Sequence, residues 1–122
     1  GSQPSGRVHP RSLATLEQAG IATHGLYSKG SEAFEGAPPD IVITVCDAAA
    51  GEACPLYLGA ALKAHWGLAD PSALDGDEAL RDAAFHATLA RIEQRCRAFL
   101  GLPFATLDRD QLKRELERIG SL

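Results

Sequence analysis

Cys46 and Cys54 are the residues best suited to chemistry in this chain: two thiols separated by seven residues, DAAAGEA, rich in alanine and glycine. Such a segment lets two sulfurs approach, since a disulfide needs Cα atoms within roughly 4.4–6.8 Å of each other. It also lets them part, which suits thiol–disulfide exchange better than a fixed staple. The bland alternative is one cysteine packed at a strand end and one incidental loop cysteine, because free cysteine often serves as a small hydrophobe. Spacing alone leaves both readings open. Asp70, followed by Pro71, is the second candidate. It reads either as a general acid able to protonate a leaving oxygen or as a turn former, Asp-Pro being common in turns. Zinc on Cys46, Asp47, Cys54 and His65 is chemically conceivable, but the spacing matches no common structural zinc site, so no metal is expected. His65 and Trp66 are expected to brace the Asp70 loop, and Cys96 to pack on the core stripe of a helix.

These residues need elements to position them. Pro10 suits the first turn of a helix carrying Leu13, Leu16 and Ala19, with Gly20 as its stop. Residues 22–39 read as irregular, with one helical turn from Ser31. The segment DIVITVC, Asp40 to Cys46, is the clearest strand, and its β-branched run is the mark of a strand covered on both faces in a parallel sheet. A loop at 47–59 leads to a weaker strand over Ala61 to Leu68 and then the Asp70–Pro71 turn. Asp75 with Glu78 resembles a capping box opening a helix whose stripe is Phe85, Leu89, Ile92, Cys96 and Phe99; Gly101 and Pro103 end it. Asp108 with Gln111 repeats the capping pattern, Leu107 and Leu112 are spaced as a staple, and Leu112, Leu116 and Ile119 face inward. The order helix, strand, loop, strand, helix, helix predicts an α/β fold with a parallel sheet. Two strands are too few for an open sheet, so a further strand is expected beside residues 40–46. Cys46 would then end a strand at the edge where ligands of such sheets gather.

Composition sets the outer bounds. The chain has 122 residues, 45% of them apolar and 23% charged, which fits one domain with a real core. A net charge of −4 gives no basic footprint for nucleic acid, and none is expected as a partner. No run is long enough for a membrane-spanning helix and no signal peptide is evident, so no membrane partner is expected. Three cysteines without an export signal point to reduced thiols in the cytoplasm.

Taken together, VITVCDAAAGEACP at 42–55 and AHWGLADP at 64–71 resemble the thiol-dependent arsenate reductases built on the low-molecular-weight phosphotyrosine phosphatase fold. GSQPSGRVHP at the start, GIATHGLYSK at 20–29 and IEQRCRAFLGLPFATLDRDQLKRELERIG at 92–120 resemble it too, so the likeness covers essentially the whole chain. It implies a flavodoxin-like, three-layer arrangement around a parallel sheet, here incomplete. In that family a Cys-x5-Arg loop after the first strand binds the oxyanion, and its cysteine attacks arsenate. A second cysteine attacks the first and releases arsenite; in three-cysteine members a third completes a disulfide. By resemblance Cys46 matches the second thiol, Cys54 the third, and Asp70 the family's acid before proline. The implied substrate is arsenate, no cofactor is held, and an external thiol reductant, either thioredoxin or glutaredoxin with glutathione, closes the cycle.

The departures from the family are as informative. Six positions after Cys46, Cys54 and Cys96 stand Glu52, Ala60 and Leu102, so none has the arginine of a nucleophile loop. Gly1–Ser2 reads as the end of the family's second strand, and the expectation is a C-terminal part, residues 1–122, of one such domain, inactive by itself. The interval from Cys46 to Cys54 is one residue longer than in the best-known thioredoxin-linked members. Lys29 falls where some members use an acid for potassium, so no potassium site is expected. A phosphatase of the same fold using Asp70 is the alternative enzyme. A noncatalytic module, completed by strand pairing with a partner or a second copy, is the alternative outside catalysis.

Overall fold

The computed structural model describes residues 4–46 and 60–122. Helix α1 spans Pro10–Gln18, and proline at its first position supplies the helical φ where no N–H is needed. His9 caps it, Nδ1 accepting from the Arg11 N–H at 3.1 Å. A short 3₁₀ turn, Ser31–Phe34, falls where the sequence predicts one turn.

Strand β1 is Ile41–Thr44 and strand β2 is Leu62–His65. They pair in parallel, with Ile41 opposite Leu62 and Thr44 opposite His65. Both are shorter than the β-branched and apolar runs that announce them. The expectation that β1 is covered on both faces is corrected: its four residues are only half-buried. The physical reason is the size of the sheet, since among the described residues β2 is the only strand beside it. The parallel pair belongs to an α/β arrangement whose sheet, over these residues, is incomplete. The loop predicted at 47–59 lies outside the described residues.

Helix α2 spans Glu78–Leu100, and its cap is Asp77, not Asp75. The Asp77 carboxylate accepts from the Leu80 N–H at 2.9 Å. Gly76, with φ of +143°, turns the chain just before it, so the cap lies two residues beyond the Asp75 read from the sequence. Glu78 in the first turn and Asp82 one turn on both receive the Arg11 guanidinium, the Glu78 contact at 2.7 Å. The bonds to Glu78 and then Asp82 hold the Arg11 pKa above its usual value. Together they tie α1 to α2.

The final helix, α3, spans Arg109–Ile119 and opens on the predicted capping box. Asp108 accepts from the Gln111 N–H at 2.7 Å while the Gln111 side chain accepts from the Asp108 N–H at 3.0 Å. Its Leu116 and Ile119 are fully buried against Leu62, Ala64 and Trp66, with Ile41, Ile43, Phe99 and Leu112 packed around them. The α3 backbone comes close to β2 at Gly120, where an added Cβ would lie 2.8 Å from Trp66 Cδ1 and 2.9 Å from the His65 carbonyl oxygen. Only glycine fits there without displacement.

The stripe predicted along α2 is also corrected. Phe85 is buried, but Ile92 and Cys96 are exposed, and the buried residue of that region is Arg95. The helix has two sets of neighbours, α1 and the turn after Asp70 along its first half, and α3 and the core beyond it. The inward face therefore shifts to Arg95, Ala98 and Phe99, with Leu102 beyond the helix end also on the core, a phase that a single continuous stripe misses.

Candidate functional site

Parallel pairing sends both strands toward the same end, and the candidate residues follow those strand ends. Cys46 lies two residues beyond β1, and its side chain is exposed. Asp70 lies five residues beyond β2, at the head of a 3₁₀ turn over Pro71–Ala73. The bland reading of Cys46 as a buried packing residue fails on exposure. Cys54 lies outside the described residues.

Two backbone bonds extend the ladder toward the site. The Trp66 N–H donates to Thr44 O and the Leu68 N–H to Val45 O, both at 2.8 Å. Hence the residue before Cys46 is bonded to the segment that leads to Asp70. Across the last ladder pair, Thr44 Oγ1 and His65 Nδ1 are 2.7 Å apart. Trp66 turns the other way, into the core, its indole N–H donating to Leu116 O at 2.8 Å and its ring meeting Phe99 edge-on. His65 and Trp66 thus brace the base of the segment leading to Asp70 by gripping β1 and α3 respectively.

Asp70 is occupied as a cap. Its Oδ1 accepts from the Ser72 hydroxyl at 2.6 Å and from the Ser72 N–H at 2.9 Å. The hydroxyl bond first, then the backbone bond, lowers its pKa below the usual carboxylate value; partial burial opposes this and the charge of His9 adds to it. In this conformation Asp70 is an anion at neutral pH. It satisfies the turn-former reading fully, and a role as proton donor requires it to exchange the Ser72 bonds for a substrate oxygen.

One residue that sequence reasoning passed over lies beneath this segment. Arg95 of α2 is 3% exposed, and its Nη1 donates to Trp66 O at 3.0 Å and Gly67 O at 3.3 Å. Its signal was present, since it shares a helix face with Ala98 and Phe99, but a charged residue is not sought in a core stripe.

No group of three or more potential metal ligands occurs among the described residues. Lys29 directs its ammonium over the Tyr27 ring, 4.1 Å from the centroid. A pocket of about 540 Å³, bounded by Pro39, Ile41, Leu62, Phe104 and Arg109 among others, opens at the amino ends of the strands, away from Cys46. No described helix is long and apolar enough to cross a membrane.

No curated protein matches the chain. The family model for low molecular weight phosphotyrosine protein phosphatase matches residues 1–117. With its parallel strands, the thiol after β1 and the Asp-Pro turn after β2, the chain belongs to the low molecular weight phosphotyrosine protein phosphatase family.

Proposed function

We propose that these residues form the resolving half of an arsenate reductase whose oxyanion-binding Cys-x5-Arg loop lies outside them. The observation that carries the reading is the exposed Cys46 at the strand end, bonded through Val45 to the Asp70 segment and followed in sequence by Cys54. In the proposed cycle, the loop's thiolate displaces water from arsenate, Asp70 supplying a proton to the leaving oxygen. Cys46 thiolate then attacks that sulfur; the sulfur–arsenic electron pair stays on arsenic, which leaves as arsenite. Cys54 attacks Cys46, frees the first thiolate, and leaves a Cys46–Cys54 disulfide for an external dithiol to reduce. The donor is thioredoxin, or glutaredoxin with glutathione, and the compartment is the cytoplasm, where thiols stay reduced.

A second reading, phosphatase, is favoured by the family itself, the low molecular weight phosphotyrosine protein phosphatases. Phosphate-ester hydrolysis needs no shuttle thiols, so Cys46 separates the two. The test is to assay the full-length protein, with its nucleophile loop, against arsenate and an aryl phosphate. Cys46→Ser is expected to abolish multiple arsenate turnovers and to leave aryl phosphate hydrolysis within about twofold, because only the redox step uses that thiol. Unchanged arsenate turnover would remove Cys46 from the mechanism.

A further inference from the structure

We infer that Arg95 is a positioning residue, a clamp on the joint that fixes the Asp70 segment to the Cys46 strand. The inference rests on the reductase reading for its consequence in turnover, but its geometry stands apart from that reading. A guanidinium is costly to bury unless its donors are used. Arg95 pairs with no side-chain carboxylate among the described residues, and instead spends its donors on main-chain oxygens, two of them successive peptide carbonyls. Nη1 reaches Trp66 O and Gly67 O, and Nη2 reaches Leu122 O at 3.2 Å. Its Nε is buried without a hydrogen-bond partner among the described residues.

The placement of the accepted carbonyls gives the clamp its meaning. Trp66 and Gly67 lie immediately after β2, and the next residue, Leu68, donates its N–H to Val45 O beside Cys46. Arg95 therefore grips one side of a peptide segment whose other side is bonded to the thiol's neighbour. A hydrophobic residue could fill the same volume, but it could not hold two successive carbonyls in fixed directions. Arg delivers that with one rigid fork, which lysine matches poorly.

Hydrogen exchange and kinetics on the full-length protein test this. In Arg95→Met, exchange of the Leu68 amide is expected to accelerate at least about tenfold, while Leu62, bonded to Asp40 O at the far end of the ladder, keeps its protection. For arsenate, kcat is expected to fall about tenfold or more with KM within about twofold, because an intramolecular attack is sensitive to small misplacement. Arg95→Lys should recover part of both effects, and it carries the test if Arg95→Met does not fold. Unchanged Leu68 exchange, or equal acceleration at Leu62 and Leu68, overturns the clamp, the second outcome marking a general stabiliser. Absence of arsenate turnover in the unsubstituted protein overturns the reductase reading, and with it the role of Arg95 in turnover, while the exchange result still decides the clamp.

Discussion

At the scale of single residues, Asp70 carries the sharpest tension between structure and proposed chemistry. A general acid works best with a pKa near the operating pH, yet the Ser72 bonds and His9 pull this carboxyl the other way. Removing the hydroxyl should relax it: in Ser72→Ala the Asp70 pKa is expected to rise toward the ordinary carboxylate value, read by NMR titration of its side-chain carboxyl carbon. An unmoved pKa would assign the depression to other groups. The sign for stability follows from linkage. Because the folded pKa lies below the unfolded one, the Asp70 contribution is present above the unfolded pKa and is lost as pH falls through the folded value. That Cys46 follows one strand and Asp70 heads a turn beyond the other was legible in the sequence, since each comes after a strand signal. The Ser72 bonds were not, because a serine two residues after an aspartate is equally common where no such bond forms.

At the scale of elements, the local start signals of α1 and α3 are read correctly from the sequence, while for α2 the sequence points to Asp75 for the cap that Asp77 supplies. The Asp108–Gln111 box and Pro10 at a helix start need only neighbours in sequence, and both appear where expected. The other failures came where packing decides. Cys96 and Ile92 fit a helical stripe by arithmetic, but α2 changes partners along its length, so the face presented to the core turns away from them. Gly120 is the opposite case, a residue whose reason appears only in three dimensions. Gly120→Ala forces a methyl against the His65 carbonyl and the Trp66 ring, and is expected to cost about 1–3 kcal/mol, as overpacking usually does. Urea unfolding measures it; a loss below about 0.5 kcal/mol, the size of a neutral surface change, would mean that the α3–β2 contact yields easily.

At the scale of the whole molecule, the outstanding feature is a parallel pair in which the outer edge of β1 meets no further strand among the described residues. The order of elements foretold this, since two strand signals cannot make an open sheet. Unpaired N–H and C=O groups on such an edge recruit another strand. The 122-residue chain alone is accordingly expected to self-associate, eluting earlier from a sizing column as its concentration rises. A well-folded chain that remains monomeric throughout would count against strand pairing between copies.

Trp66 gives all of these questions a common light source. It is the single tryptophan of the chain, its ring is buried, and its indole N–H is held by a carbonyl of α3. Its fluorescence therefore arises from one known corner, where the sheet, α3 and the segment toward Asp70 meet. Emission should be blue-shifted in the folded protein and move red when that corner opens to water. Stopped-flow recording of this one emitter, after mixing reduced protein with an oxidant, would time any rearrangement there without an added label.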